Sequence, residues 1–264
     1  MAKNRVDPGQ PGRGRPNVVK GARGAASRRP FYLSLIAIAA IGVALIAWAS
    51  RRAATPVVTI DPKDAAGVTA EGYVMGSASA PVEIIEFADF ECPGCGQFAT
   101  VTEPDVRTRI VQTGLARFRV YDFPVNSSHR NSASASMAAA CAADQNKFWE
   151  MHDRIFQGQN DWSTYATDDP KEHFERYARE LGLDMAAWNQ CYDSNKHRGR
   201  IAAHAQEAGR RRVPSTPTFI IGDKLLTGAQ PYDVIKAYVD SARTAAGAAG
   251  AAPTTAAPAD TTRR

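Results

Sequence analysis

The stretch "EFADFECPGCGQFA", residues Glu86–Ala99, holds two cysteines that are separated only by Pro93 and Gly94. An apolar, partly β-branched segment, "PVEIIEF" at Pro81–Phe87, leads into it and predicts a strand. From Gly94 onward the sequence predicts a helix that begins at the cysteines. A close cysteine pair at such a strand-to-helix junction is a structural staple, half of a zinc site or a redox centre.

The positions of the four cysteines favour the redox interpretation. Four-cysteine zinc sites usually consist of two close pairs, whereas here only Cys92 and Cys95 are close, and Cys141 and Cys191 stand alone on predicted helices. A structural Cys92–Cys95 bridge would close too small a loop to restrict the unfolded chain much. At the first turn of a helix, unpaired N–H groups and the positive end of the dipole favour an anion. Cys92 is therefore the expected low-pKa nucleophile, and Cys95 the resolving thiol.

The segments around the cysteines predict an α/β fold. A helix is expected over residues 103–114, followed by a strand at Ala116–Phe123, which makes the opening β-α-β. A long, Ala-rich helical region comes next. Two further strands, Thr218–Ile221 and Lys224–Leu226, are joined by the two-residue turn Gly222-Asp223. With a closing helix, the order is β-α-β, a helical insertion, then β-β-α.

The charge of the chain is divided unevenly. Residues 1–30 carry eight Lys or Arg and one acid, whereas residues 53–264 carry 22 basic and 26 acidic side chains, a net charge of −4. The basicity therefore belongs to a Gly- and Pro-rich N-terminal tail, which is expected to be disordered. A nucleic-acid partner is not expected, because the rest of the chain is net acidic.

The reason for the basic tail is the segment that follows it. "FYLSLIAIAAIGVALIAWA", residues 31–49, contains no charge, and as a helix it would extend about 28 Å, enough to cross a bilayer core. The positive-inside rule places the N-terminus in the cytoplasm and the chain after Ser50 outside. A single-pass anchor in the cell membrane is favoured. Ala47-Trp48-Ala49 also has the form of a cleavage site, so cleavage after Ala49 is the alternative.

The predicted organisation has five parts. No internal repeat is evident, and the Ala- and Thr-rich C-terminal tail is interrupted by Gly and Pro, so it is expected to be flexible. The parts are a disordered basic cytoplasmic tail (1–30), a transmembrane anchor (31–49), a linker (50–70), one folded domain (71–243) and a disordered tail (244–264).

Two motifs together carry a resemblance to a known family. "GSASAPVEIIEFADFECPGC" (residues 76–95) and "STPTFIIG" (residues 215–222), in the predicted β-α-β and β-β-α context, resemble the DsbA-like thiol–disulfide oxidoreductases of the thioredoxin fold. The resemblance is strongest to membrane-anchored or secreted proteins of the Gram-positive or actinobacterial type. It implies that Cys92 and Cys95 form the active disulfide, with no cofactor and no metal. It also implies that Thr216-Pro217 is the cis-proline loop beside the active site.

The resemblance also suggests roles for other side chains. Some thioredoxin-like proteins use a buried acid near the resolving cysteine as a proton relay, and Glu86 is the candidate here; a solvated carboxylate at the strand end is the alternative. The family often has His or Tyr where Gly94 stands. The five histidines show no ligand spacing and are interpreted as ordinary surface or helix residues: His129, His152, His173, His197 and His204.

The lone cysteines Cys141 and Cys191 are either buried free thiols or a bridge. Export favours a bridge, since disulfides persist outside the cytoplasm, and DsbA-like relatives with a second disulfide in this region add to the expectation. Its role would be structural.

The function implied by the resemblance is that of an extracytoplasmic oxidase. It would donate its disulfide to reduced exported proteins and be reoxidised by a membrane quinone-linked partner of the DsbB or vitamin K epoxide reductase type. A reductase or isomerase of the same fold is one alternative. A non-enzymatic, zinc-binding tethered module is another.

Overall fold

The computed structural model describes residues 29–50 and 58–250. Most of the predicted basic tail (1–28), part of the predicted linker (51–57) and most of the predicted C-terminal tail (251–264) lie outside the described residues.

The segment predicted as an anchor is helical. Helix α1, Arg29–Ser50, covers it and belongs to a compact unit separate from the rest of the chain. Among the helices in the described part of the chain, none has both the length and the apolar character needed to cross a membrane. The anchor at residues 31–49 is therefore unconfirmed.

The second unit is built on a five-stranded mixed sheet in the order β1-β3-β2-β4-β5. Strand β2 is central, parallel to β3 and antiparallel to β4, while β1 and β5 are antiparallel edges. The strands are β1 (Tyr73–Met75), β2 (Glu83–Ala88), β3 (Arg117–Asp122), β4 (Thr218–Ile221) and β5 (Lys224–Thr227). The predicted β-α-β and β-β-α halves are confirmed, and Gly222 makes the β4–β5 turn with a positive φ of 60°.

The helix that follows the cysteines is widened twice. It consists of α2 (Pro93–Gln97), a π-helical segment (Phe98–Thr102), α3 (Glu103–Val106) and a second π-helical segment (Arg107–Val111). Pro104 accounts for the first widening, because proline has no N–H and its ring clashes with the carbonyl four residues earlier. A π turn separates these groups without ending the helix.

The helical insertion packs on both faces of the sheet. Most of it joins the main core cluster, while Ala208 near its end packs with Ile85 and Phe87 on the other face. Helix α4 is buried along nearly its whole length, because its small side chains let neighbouring helices approach closely. A disulfide joins Cys141 in α4 to Cys191 in α8, with Cα atoms 5.8 Å apart. The insertion comprises α4 (Ser132–Ala143), α5 (Phe148–Gln157), α6 (Gln159–Trp162), α7 (Lys171–Glu180), α8 (Met185–Asp193) and α9 (Arg198–Arg210); helix α10 (Tyr232–Gly250) closes the domain.

The predicted domain boundaries, 71–243, are too narrow. Val58 is buried in the core, and a 3₁₀ turn at Pro62–Ala65 packs against α9, so much of the predicted linker belongs to the domain. The predicted disordered tail is wrong over residues 244–250, which continue α10. Alanine is the best helix former, and one interior glycine costs only about 1 kcal/mol.

Candidate active site

Cys92 lies at the point where the chain leaves the β2 loop and enters α2. It is the N-cap of the helix, half-buried, with its Sγ 3.4 Å from the carbonyl oxygen of Thr216. The pKa of its thiol is lowered to about 5, chiefly by a hydrogen bond from the Cys95 thiol. Partial burial opposes the shift, while the Thr216 side chain and the backbone N–H groups of Gly94 and Cys95 add to it. A thiolate is therefore held at an accessible position.

Cys95 has the opposite environment. Its side chain is fully buried, and the backbone N–H of Asp89 donates to its Sγ over 3.4 Å. Burial raises the pKa of the Cys95 thiol well above its ordinary value, and the hydrogen bond to Cys92 raises it further. One turn of helix thus separates a stable thiolate from a protonated thiol, and both cysteines are in the free form.

The loop before β4 faces the two cysteines. The Thr216–Pro217 peptide bond is cis, as the resemblance implied. At Gly94, an added Cβ would lie 3.2 Å from Pro217 Cδ and 3.8 Å from Cys92 Sγ. Any side chain at this position would require the loop to shift by a few tenths of an ångström. Glycine at position 94 therefore allows the Thr216–Pro217 loop to lie close to Cys92.

Two buried carboxylates, those of Asp89 and Glu91, hold the loop that carries Cys92. Asp89 makes more hydrogen bonds than Glu91 does. Its Oδ1 accepts hydrogen bonds from the Glu91 N–H and the Ser132 hydroxyl, and its Oδ2 accepts from the Val125 N–H over 2.8 Å. The imidazole Nδ1 of His129 also lies 2.8 Å from Oδ2. Asp89 thus ties the active-site loop to the segment before α4.

Glu91 makes a second connection. It accepts hydrogen bonds from the backbone N–H groups of Asn131, over 2.9 Å, and of Thr164. Gln159 completes the frame, because its side-chain amide donates to the carbonyl oxygens of Phe90 and Cys92. The helical insertion therefore fixes the backbone of the segment that contains Cys92.

Glu86 is buried on β2. Side chains alternate along a strand, so Glu86 shares the face of Ile84 and Ala88, which pack in the same core cluster as Cys95. Burial raises the pKa of the Glu86 carboxyl well above its usual range, and repulsion from Glu103 raises it further. The alternative of a solvated strand-end carboxylate is thereby wrong.

His152 and His204 lie on α5 and α9, as the interpretation of the histidines as surface or helix residues allows, but three of the five histidines have specific partners that the sequence did not predict. His129 is bound to Asp89, and this hydrogen bond is the main reason its pKa is raised. His152 and His204 are fully buried, the latter between Asp122 and the Glu71 carbonyl. The partners of His129 and His204 lie between 40 and 133 residues away in sequence, so no local spacing shows them.

Comparison with known proteins identifies the family of the domain that carries Cys92 and Cys95. A family model described as thioredoxin matches residues 68–241. The chain belongs to the thioredoxin family. Its curated relatives in sequence include the Na⁺/H⁺ antiporter NhaA 3 of Salinispora tropica, 34% identical over 170 residues, and NhaA 1 of Mycobacterium sp. strain KMS, 34% identical over 165 residues. These matches cover 64% and 61% of the chain but only 24% and 25% of the antiporters, so the chain spans about a quarter of their length.

Solved structures that this thioredoxin-family member resembles include DsbA proteins. Alpha-DsbA1 of Wolbachia pipientis superposes with a TM-score of 0.60 at 20% identity, covering 68% of this chain and 94% of that one. DsbA of Chlamydia trachomatis gives 0.58 at 20% identity, with 72% and 98% covered. BdbD of Bacillus subtilis gives 0.56 at 20% identity, with 70% and 96% covered. The chain thus has the fold of the DsbA-like thiol–disulfide oxidoreductases.

Proposed function

We propose that the domain is a thiol–disulfide oxidase that donates a Cys92–Cys95 disulfide to reduced exported proteins. The observation that supports it most is the contrast between the two thiols. Cys92 is accessible and its pKa is lowered to about 5, whereas Cys95 is buried with a raised pKa. A stable Cys92 thiolate is a good leaving group, so its disulfide is readily given away.

The transfer takes place in two displacements. A client thiolate attacks Cys92 Sγ; the Cys92–Cys95 bond breaks, and Cys95 leaves as a thiolate that takes up a proton. A second client thiolate then attacks the client sulfur of the mixed disulfide and releases Cys92 as a thiolate. The client loses two electrons and gains a disulfide, and the domain gains both electrons. Buried Glu86, whose raised pKa favours the protonated form, is the proposed proton donor to Cys95.

The proline loop supplies a surface for the client chain. Pro217 has no N–H, and the Thr216 carbonyl is 3.4 Å from Cys92 Sγ. An extended client segment that pairs with the backbone beside Thr216 would bring its own cysteine to Cys92. This arrangement serves a reductase or isomerase equally well, so the direction of transfer rests on the thiol contrast.

A zinc-binding role is less well supported. Cys141 and Cys191 are bonded to each other, which leaves Cys92 and Cys95 as the free thiols of the described residues. The transport activity named for the curated relatives belongs to proteins about four times as long as the match, so it contributes nothing to the proposal.

Location outside the cytoplasm and reoxidation by a membrane quinone-linked partner are part of the proposal. The uncharged segment at residues 31–49 and its basic leader support export, and so does the Cys141–Cys191 bridge. Protease added to intact cells is expected to degrade the domain while the N-terminal tail is protected. Survival of the domain in intact cells, followed by its loss on lysis, would place it in the cytoplasm.

The transfer itself is tested by trapping. Cys95→Ser, loaded at Cys92 with a mixed disulfide and mixed with a reduced unfolded protein that has a single cysteine, is expected to retain a long-lived Cys92–client adduct, because neither Cys95 nor a second client thiol can attack it. The wild-type disulfide should oxidise a reduced client with two cysteines, and Cys92→Ser should not. Equal oxidation by wild type and Cys92→Ser would refute the role of Cys92.

A further inference from the structure

Two fully buried polar atoms face each other near the redox pair without hydrogen-bond partners among the described residues. They are Oε2 of Glu103 in α3 and Nε2 of His152 in α5, which lie 3.8 Å apart in side chains that are each 1% exposed. An unpaired buried polar group lowers stability, so two that face each other call for an explanation.

The other atoms of these two side chains are already occupied. Oε1 of Glu103 accepts from the Arg107 guanidinium over 2.7 Å. Nδ1 of His152 lies 2.9 Å from Oδ1 of Asp153, which Arg107 also contacts at 2.7 Å. When His152 donates from Nδ1, its Nε2 carries a lone pair aimed at Glu103. The 3.8 Å gap is too long for a hydrogen bond, and a small approach of the two side chains would let one proton, on either atom, satisfy both.

The cluster reaches solvent at one end. Arg107 and Asp153 line a cleft of about 350 Å³ together with Pro104. The Asp153 side chain is 38% exposed there. A proton on His152 is therefore one hydrogen bond from a solvated carboxylate.

The other end of the cluster meets the active site. The His152 ring packs edge-on against Phe90, two residues before Cys92, with ring centroids 5.6 Å apart. Glu86 shares the sheet face that packs on Cys95, and the charge of Glu103 is the second cause, after burial, of its raised pKa. Glu103 thus lies within electrostatic range of Glu86.

A cation-binding interpretation of Glu103, His152 and Asp153 fits the charges less well. Arg107 already supplies a positive charge between the two carboxylates, with contacts of 2.5 Å to Glu103 and 2.7 Å to Asp153. A divalent ion at the same place would have to displace it or lie beside it.

We infer that Glu103 and His152 carry protons between the buried Glu86–Cys95 pair and the cleft at Asp153. The inference rests on the proposed function, in which Cys95 takes up a proton each time the disulfide is given away. Glu86 supplies that proton and becomes a carboxylate; a proton entering at Asp153 passes through His152 and Glu103 to restore it. On reoxidation the proton leaves by the same route.

The test uses Glu103→Gln and His152→Gln in the full chain. Stopped-flow reduction of the Cys92–Cys95 disulfide by glutathione is measured between pH 5 and pH 9, in H₂O and D₂O. Both variants are expected to be about tenfold slower at pH 7, with a changed pH profile and a larger solvent isotope effect. The loss is smaller than the roughly 100-fold minimum typical of a direct general acid or base, because both groups act through Glu86. Alkylation of reduced Cys92 should stay within about twofold of wild type, because that reaction needs no proton at Cys95.

Glu83→Gln is the matched control. Glu83 also lies on β2 and also pairs with arginines, Arg117 and Arg119, but on the opposite face from Glu86. Its rate, pH profile and isotope effect should equal those of wild type. Unchanged profiles in folded Glu103→Gln and His152→Gln would overturn the inference, and if Glu103→Gln does not fold, His152→Gln decides. Failure of the wild-type chain to transfer its disulfide at all would instead refute the proposed function.

Discussion

At the scale of single residues, the two cysteines of the proposed redox pair differ because of their positions on one helical turn. Cys92 is at the N-cap, where N–H groups and the second thiol stabilise a negative charge. Cys95 is inside the core, where burial disfavours any charge. The opposite pKa shifts of the two thiols follow from a helix that starts at Cys92 and a sheet that covers Cys95.

The first prediction concerns the reactivity of Cys92 against pH. Only the thiolate is alkylated rapidly, so a lowered pKa means that the rate rises with pH through about 5 and is level by neutral pH. Rates of iodoacetamide modification between pH 3 and pH 10, with peptide mass spectrometry to assign the site, check this. Cys92 should react first, and Cys95 only above its raised pKa. A midpoint near 8.5 for Cys92 would mean that the thiol is not activated.

Sequence alone identifies the residues proposed to react but not the residues that support them. Cys92, Cys95 and Pro217 lie in short motifs whose spacing carries their chemistry. Asp89 and His129 are 40 residues apart and meet only because the segment before α4 folds back onto the active-site loop. Contacts of this kind depend on tertiary packing, which has no local pattern.

At the scale of elements, the strands with a strong apolar pattern can be predicted from sequence, whereas the short strand with a weak pattern cannot. β2, β3, β4 and β5 fall within a residue or two of their expected positions. β1, Tyr73–Met75, has three residues and an exposed valine at its centre, and it exists because it pairs with β3. The π-helical widening at Phe98–Thr102 likewise was not predicted, although Pro104 is a signal for it.

The second prediction concerns the bridge between α4 and α8. Replacing Cys141 and Cys191 with Ala together removes a cross-link between residues 50 apart, which restricts the unfolded chain by about 4 kcal/mol in the entropy model. The melting temperature should fall, as calorimetry would show, while disulfide transfer at low temperature stays near the wild-type rate. A loss of transfer in the folded double variant would show that the bridge takes part in the reaction.

At the scale of the whole molecule, one domain carries the proposed chemistry. Its core runs from Val58 into α10, and the helical insertion both covers the sheet and fixes the backbone around Cys92. The sequence predicts this organisation from its element order, but it places the boundaries too far inward. Ala65, in the turn at Pro62–Ala65, is buried against α9, a contact across more than 130 residues, and Val58 is buried in the main core.

The direction of electron flow is a property of the whole domain, since it depends on the free energies of the oxidised and reduced forms. It is measured most directly by equilibrating the domain with glutathione at known ratios, quenching with acid, and quantifying the Cys92–Cys95 disulfide by mass spectrometry. A stabilised Cys92 thiolate predicts a potential between about −200 and −120 mV, the range of disulfide donors. A potential near −270 mV, that of thioredoxin, would contradict the assignment as an oxidase.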